Sequence, residues 1–385
     1  MDHTSGEIVS RYGIDERRGF LPDEDPLTRF DTTRGDGSDA YLRRLDDLGA
    51  RLPGLLDEGE LRPLVDDLEA PPDGLLDGLT DRETIRLCLL SGFLASGYVN
   101  QIGADPVDRL PAGAAVPLYR TSRRLGRKPI LSYDLLCLHN FRRRDPDGGL
   151  VLENLGTVQQ FTDLEDERWF VVVHVAIEAA AGPALVACAR AQEAIHEDDP
   201  AALETALETI ADSLEAQTAI MRRMTERNDP TAFATDYRPY YNGFDDLVYE
   251  GVGELEGAQT YRGGSGAQSC VLPSIDATLG IDHETTELIE KLLDMRTYMP
   301  EKHRAVVEAF DRDVDVRPYV APREDDALAA AFNRCIEELQ TFRLVHFGQV
   351  IQYIRKVTGE TTGTGGTDYM SFLGEMEDET GTHKV

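Results

Sequence analysis

Apolar residues recur at three- and four-residue spacing along most of the chain, which predicts an all-α protein. Strand-like alternation is scarce, and no repeat of fixed period is visible. Residues 1–40 are rich in Gly, Asp, Pro and Arg, so we predict them to be mostly irregular, and residues 148–161 to be extended or irregular. The predicted helices lie near residues 41–68, 81–102, 129–144, 163–195, 200–224, 284–297, 301–310 and 325–357.

The helix near residue 81 has a clear start signal, because Thr80 or Asp81 can cap its first turn. The helical segments divide into two parts that meet near residues 155–162. A chain of 385 residues, 41% of them hydrophobic, is long enough to bury a large core.

The net charge of −32 is the unusual feature of the composition, and only five lysines accompany it. Such acidity fits either a basic or cationic partner or a surface adapted to high salt, as in a halophilic prokaryote. The acidic residues are spread along the chain, which favours the second interpretation. In molar salt the Debye length is about 3 Å, so self-repulsion is screened. The same charge disfavours nucleic acid as a partner.

The cysteines and the N-terminus point to the cytoplasm. Five widely spaced cysteines with no CxxC suggest neither a disulfide framework nor a zinc site. The first ten residues, MDHTSGEIVS, lack the basic and apolar regions of a secretory signal. Because continuous apolar runs such as FVVV are short, we expect no membrane span.

A histidine interrupts the apolar face of the segment FRLVHFGQVIQYI, residues 342–354. Phe342, His346, Val350 and Tyr353 share this face at helical spacing. A buried imidazole must accept or donate a hydrogen bond, bind a metal or titrate. His346 is therefore either a core histidine with a hydrogen-bond partner or a ligand or catalyst.

His174, in WFVVVHVAIE, is the second histidine inside a strongly apolar helix. By contrast, we expect His139, His196, His283 and His303 near the surface, because charged or loop residues flank them. His174 and His346 could be structural, could both bind a haem, or could be one iron ligand and one residue of the opposite pocket. A non-haem site with Glu178, one turn from His174, stays open.

Two glycine-rich segments and one aromatic segment could also contact a ligand. YRGGSGAQS (261–269) and TTGTGGTDYM (361–370) match no phosphate-binding motif, so they are surface loops or backbone that closely approaches a ligand, with hydroxyls from Ser265, Thr364 or Thr367. In AFATDYRPYYNGF (232–244), Arg238 follows Phe233 and could pair with a ligand carboxylate or be solvated.

In order and spacing, these segments resemble the indoleamine 2,3-dioxygenase family, haem enzymes that open the indole ring of tryptophan. The likeness runs from RGFLPDEDPL near residue 18 to GTGGTDYMSFL near residue 373. It includes AVPLYRTSRRLGRKPILSYDLLCLHNF, ERWFVVVHVAIEAAAG, DLVYEG, GGSGAQS and DMRTYMPEKHR. The resemblance implies a small helical domain, residues 1–157, that caps a larger helical domain, residues 158–385, which holds haem b.

The resemblance also implies a role for individual residues. His346 would be the proximal ligand of the haem iron, Arg343 would contact a haem propionate, and Arg238 would bind the substrate carboxylate. His174 and Ser265 are the candidate catalytic residues. The other implied substrate contacts are Tyr133, Phe170, Phe233, Gly264, Gly266 and Thr364.

Two positions depart from the family pattern. His174 stands where animal members carry serine, and Ala234 stands where they carry a second phenylalanine. A distal histidine contacts the indole N–H in the related tryptophan 2,3-dioxygenases. The departures concern the substrate range more than the reaction.

The implied function is conversion of L-tryptophan, or a related indoleamine, and O2 to N-formylkynurenine, the first step of the kynurenine pathway. We expect ferrous haem, a monomer and no membrane or nucleic-acid partner. A haem-binding sensor or carrier without turnover is the alternative, followed by a non-haem or purely structural helical protein.

Overall fold

The computed structural model describes residues 4–35, 37–72, 74–281, 287–312, 315–360 and 380–385. Helices dominate these residues, which confirms the predicted all-α class. The N-terminal part contains α1 (Ser5–Tyr12), α2 (Ser38–Asp57), α3 (Leu61–Asp66), α4 (Asp81–Val99) and α5 (Ala112–Arg124). The C-terminal part contains α6 (Glu165–Ala180), α7 (Gly182–His196), α8 (Pro200–Arg222), α9 (Pro230–Ala232), α10 (Val271–Leu279), α11 (Glu287–Arg296), α12 (Glu301–Asp311), α13 (Val316–Val320), α14 (Asp326–Val350) and α15 (Lys356–Thr358).

Short strands pair segments that are distant in sequence. They are β1 (Arg109–Leu110), β2 (Phe141–Arg143), β3 (Leu155–Thr157), β4 (Phe244–Tyr249) and β5 (Gln259–Tyr261). β4 lies between β1, to which it is parallel, and β5, to which it is antiparallel. β2 and β3 form a separate antiparallel pair. The β1–β4 pairing therefore connects the N-terminal part directly to the C-terminal part.

The core of the C-terminal part forms around α8, which packs against α6, α7 and α14. Its buried face repeats at helical spacing, with Leu203, Leu207, Ile210 and Leu214 fully inaccessible to solvent. Each such side chain stabilises the fold by about 1.5–3 kcal/mol relative to an exposed one. This packing gives the walls of the ligand cavity a rigid support.

Capping residues explain both a correct prediction and a wrong one. Thr80 caps α4, and its side chain and that of Glu83 satisfy each other's backbone N–H groups. Thr4 and Glu7 make the same capping box at the start of α1. Residues 1–40 are thus less irregular than predicted, because α1 forms there and packs against α7.

The helix predicted over residues 129–144 is wrong. The structure has only a π-helical turn, Asp134–Leu138, followed by β2. Asn140 ends the turn because its buried amide donates hydrogen bonds to the carbonyls of Leu136 and Gln159. Among the described residues, five helices lie outside the predicted ranges: α1, α5, α9, α10 and α13.

The single helix predicted over residues 163–195 is two helices, α6 and α7, that meet at Ala181. A Cβ atom at Gly182 would lie 2.7 Å from the carbonyl oxygens of Asp15 and Glu16, so only glycine permits this close approach. The combined segment is long and apolar enough to cross a membrane, but most of it is buried in the protein. It is therefore a core element.

Of the four histidines expected near the surface, His196 is exposed as predicted, and His283 lies outside the described residues. For His303 the prediction is wrong. His303 is buried, with its ring 4.2 Å from that of Phe20. Burial, and then the charge of Arg127, lowers the pKa of His303 to about 3. The same two causes lower the pKa of His139 to about 3. These neutral histidines belong to the interior packing and lie outside the ligand cavity.

Candidate active site

A cavity of about 600 Å³ lies between α6, α8, α10, α14 and the segment 263–269. Its volume falls in the range of roughly 300–1,000 Å³ that is typical of small-molecule and cofactor sites. Thr364 and Thr367, with the rest of the segment 361–370, lie outside the described residues. Every other residue singled out as a site residue from the sequence lines the cavity: Tyr133, Phe170, His174, Phe233, Arg238, Gly264, Ser265, Gly266, Arg343 and His346.

His346 projects from α14 into the cavity beside Phe342 and Val350. More than a third of the His346 surface is accessible. That surface faces the cavity and not the outside of the protein, because the imidazole lies deep inside the protein. Burial, and then His174, lowers the pKa of His346 to about 4. Within the described residues, neither ring nitrogen has a hydrogen-bond partner. The imidazole is therefore neutral at pH 7 and has a lone pair available to a ligand.

His174 projects from α6 into the same cavity in a different hydrogen-bonding state. Its Nδ1 lies 2.8 Å from the carbonyl oxygen of Phe170, one turn earlier. A carbonyl only accepts, so Nδ1 carries the proton and Nε2 of the neutral ring has the lone pair. Burial lowers the pKa of His174, and the hydrogen bond to Phe170 opposes that shift. His174 is thus prepared to accept a hydrogen bond.

Aromatic rings cover the cavity wall beside His174. The ring of Phe170 lies 5.3 Å from that of Phe233 and 5.7 Å from that of Tyr241. Phe233 in turn lies 5.7 Å from Tyr353, and Tyr133 lies 5.9 Å from His174 in an edge arrangement. These spacings are typical of favourable aromatic contacts and suit a planar aromatic ligand.

Arg238 follows a π-helical turn, Phe233–Tyr237, that places Phe233 and Arg238 on the cavity wall together. Only 6% of Arg238 is exposed. Its Nη1 donates a hydrogen bond of 2.9 Å to the Oε2 atom of Glu360, whose side chain is half exposed. The guanidinium is thus already engaged by a carboxylate.

Arg343 is one turn before His346 and is 3% exposed. Its Nη2 donates to both carboxylate oxygens of Asp276 on α10, at 2.8 and 2.7 Å, and its Nη1 donates to Thr380. Asp276 and Arg343 both line the cavity. The pair joins α10 to α14 beside His346 and holds a cationic group at the cavity wall.

Glu178, on α6, connects that helix to Tyr133 and to the segment 263–269. Its Oε1 atom accepts hydrogen bonds from the hydroxyls of Tyr133, at 2.9 Å, and Ser269, at 2.7 Å. Gln268 adds a second connection, because its Oε1 accepts from the Tyr133 N–H at 2.8 Å and its Nε2 donates to the Gly263 carbonyl at 2.9 Å. Burial raises the pKa of Glu178.

Glu178 does not complete a non-haem metal site. Across the residues that the structure describes, no group of three or more His, Cys, Asp or Glu side chains is arranged to hold a metal ion. The two-histidine, one-carboxylate alternative therefore has no support in this geometry.

The glycine-rich segment 261–269 approaches other backbone closely. A Cβ atom at Gly263 would lie 2.0 Å from the Tyr241 carbonyl oxygen, and one at Gly264 would lie 3.2 Å from that of Leu131. The Ser265 hydroxyl accepts a hydrogen bond of 3.3 Å from the Ala267 N–H and can still donate into the cavity. These contacts are with the protein's own backbone, so a close approach of this segment to a ligand stays a prediction, which the position of Gly264, Ser265 and Gly266 on the cavity wall supports.

Comparison with known proteins agrees with this arrangement. Residues 8–357 match the family model described as Indoleamine 2,3-dioxygenase. The chain belongs to the indoleamine 2,3-dioxygenase family. It is 34% identical to indoleamine 2,3-dioxygenase 1 of Rattus norvegicus, over 98% of this chain and 95% of that protein. It is 33% identical to indoleamine 2,3-dioxygenase 2 of Homo sapiens, over 97% of this chain and 94% of that protein. It is 29% identical to the indoleamine 2,3-dioxygenase of Saccharomyces cerevisiae, over 97% of this chain and 93% of that protein.

Several residues that line this cavity, or that hydrogen-bond to residues lining it, were not identified from the sequence as part of a site. Asp276 and Glu360 are two acidic residues among 71, and no spacing marks them as partners of Arg343 and Arg238. Gln268 is in the glycine-rich segment, but its role depends on Tyr133, 135 residues away in sequence. Only the position of Glu178, one turn after His174, carried a local signal.

Proposed function

We propose that this protein is a haem-dependent dioxygenase that converts L-tryptophan and O2 to N-formylkynurenine. One observation carries the proposal: two histidines on different helices open into one cavity, one with no hydrogen-bond partner in the described structure and one set as an acceptor. Family membership supports the same reaction. The reaction cleaves the indole C2–C3 bond and places both oxygen atoms in the product, so no external reductant is consumed.

The residues around the cavity fit a haem b. A neutral histidine with an available lone pair is a suitable iron ligand, and His346 would hold the haem iron. Arg343 would contact a propionate. Gln217 Oε1 and Tyr241 Oη lie on cavity-lining residues, are buried and have no partner in the described structure, as expected where a bound group completes the site. Ferrous haem, when bound, supplies O2 binding and the oxidising chemistry.

The chain's own residues would bind and orient the substrate. Arg238 would bind the carboxylate of L-tryptophan, and Nε2 of His174 would accept the indole N–H. Phe170, Phe233 and Tyr133 would stack around the indole ring and exclude water. Ser265, flanked by Gly264 and Gly266 on the cavity wall, would donate a hydrogen bond to the substrate. We also propose Thr364 as a substrate contact.

The test is formation of product by purified protein. Reconstitution with haem b, reduction and addition of L-tryptophan in air should give N-formylkynurenine, measured by its absorbance. One equivalent of O2 should be consumed per product. A stable oxygenated spectrum without product would instead identify a haem sensor or carrier. Failure to bind haem at all would exclude both functions.

Four further properties belong to this proposal: a boundary between small and large domains at residue 157, a cytoplasmic location, a monomeric state and adaptation to high salt. The net charge of −32 supports the last. The temperature of half-unfolding should rise from dilute buffer to molar KCl, because salt screens the repulsion between carboxylates. A midpoint that does not rise would favour a basic partner instead.

A further inference from the structure

The Glu360 carboxylate pairs with the guanidinium of Arg238, the group that the proposed function assigns to the substrate carboxylate. Its Oε2 lies 2.9 Å from Nη1 of Arg238. The two side chains are 122 residues apart in sequence, so the contact depends on tertiary structure. Arg238 is almost wholly buried whereas Glu360 is about half exposed. The carboxylate can therefore leave toward solvent while the guanidinium stays in the cavity wall.

The end of the last helix directs Glu360 toward Arg238. α14 continues through a π-helical stretch, Ile351–Arg355, into α15. Gly359 ends α15 with a positive φ of 72°, a conformation that glycine adopts without strain. The Glu360 N–H then donates to the hydroxyl of Thr358 at 3.1 Å. These contacts give the Glu360 backbone a defined direction after the turn.

A buried guanidinium is costly without an anion, so an acidic partner stabilises it when no substrate is bound. A substrate carboxylate has the same charge as the Glu360 carboxylate and can pair with a guanidinium through both of its oxygens. An indole amino acid whose carboxylate pairs with Nη1 of Arg238 would therefore displace Glu360. An indoleamine that lacks a carboxylate has no such requirement.

We propose that Glu360 is a specificity-determining residue, which competes with the substrate carboxylate for Arg238 and so weakens binding of indole amino acids relative to indoleamines. This inference rests on the proposed function, because it takes Arg238 as the carboxylate site. It predicts that substrate binding is an exchange of one carboxylate for another.

The test compares L-tryptophan with tryptamine, which lacks the carboxylate. Binding to haem-loaded protein is measured by calorimetry without O2, so that no turnover occurs. Glu360→Gln should tighten L-tryptophan binding by about five-fold, the upper end for a half-exposed ion pair. Tryptamine binding should not tighten. Glu360→Ala should behave like Glu360→Gln, which separates the lost charge from any new amide contact.

Glu324→Gln is the matched control. Glu324 is exposed and precedes α14, at the opposite end of the same continuous helix. The substitution makes the same change in net charge but lies about 50 Å along the helix from Glu360. It should leave both affinities unchanged. In an Arg238→Ala background, Glu360→Gln should no longer change L-tryptophan binding, because the contested group is absent.

Different results separate the inference from the proposed function. Equal L-tryptophan affinity in Glu360→Gln and the unmodified protein would overturn the inference, as would equal tightening for tryptamine. Binding that responds to Glu360 as described, with no N-formylkynurenine formed in air, would support the inference and contradict only the proposed turnover. If no variant binds L-tryptophan, both are overturned.

Discussion

α6 and α14 each contribute one histidine to the cavity, and the two imidazoles differ in their hydrogen bonds. On α6, the Phe170 carbonyl accepts from Nδ1 of His174 and so leaves Nε2 as an acceptor. On α14, His346 has no hydrogen-bond partner in the described structure, and its pKa is lowered to about 4, mainly by burial. Residue type alone therefore does not assign a role to either histidine. The hydrogen bond to Phe170 fixes Nε2 as the acceptor atom of His174, whereas no hydrogen bond in the described structure fixes the tautomer of His346.

Removal of His346 should have the largest effect. We expect His346→Ala to lose most of its bound haem and its turnover, because the substitution removes the imidazole that would hold the iron. The ferrous haem spectrum and N-formylkynurenine formation measure the two losses. His174→Ala is the control and should retain haem. A normal spectrum with full turnover in His346→Ala would show that the two walls have been assigned the wrong way round.

Removal of Arg238 should have the next largest effect, because Arg238 lines the same cavity as His174 and would bind the substrate carboxylate. Arg238→Ala should weaken L-tryptophan binding by about 1.5–3 kcal/mol, the value of hydrogen bonds to a charged group. Lysine should be a poor substitute, because it cannot pair in a bidentate manner. Calorimetry with L-tryptophan and indole measures the difference. Equal losses for the two ligands would contradict a carboxylate contact.

His174→Ser should have a smaller effect that depends on the ligand. The hydrogen bond from the indole N–H to Nε2 should contribute about 0.5–1.5 kcal/mol, roughly a two- to twelve-fold change in affinity. 1-Methyltryptophan cannot donate this bond, so the substitution should penalise its binding less. If both ligands lose the same affinity, His174 is a packing residue and the contrast with His346 disappears.

The pH dependence of binding should give the smallest effect near neutrality. Burial lowers the pKa of His174, so its neutral, accepting form persists below the ordinary value of about 6.5. L-Tryptophan affinity should be level from pH 8 to 6.5 and should fall only as more acid protonates Nε2. Titration with L-tryptophan and 1-methyltryptophan in parallel measures this. A loss for L-tryptophan alone that begins above pH 6.5 would contradict a lowered pKa.

Local patterns in the sequence determined most of the helices and the positions of the two key histidines. The 3.6-residue period marked α8 and α14, and single polar residues on apolar faces marked His174 and His346, because burial makes such residues conspicuous. The order of several motifs also indicated the family, which the comparisons confirm. Each of these signals is contained within a short stretch of chain, where spacing alone has physical meaning.

Tertiary structure alone decided where helices stop and which charges meet. The predicted helix over 129–144 gave way to β2 because its pairing with β3 and the amide of Asn140 outweigh local propensity. The pairing of Arg343 with Asp276 and of Arg238 with Glu360 depends on folding distant segments together. Electrostatic partners are set by distance in space, and a sequence with 71 acidic residues offers every arginine many alternatives.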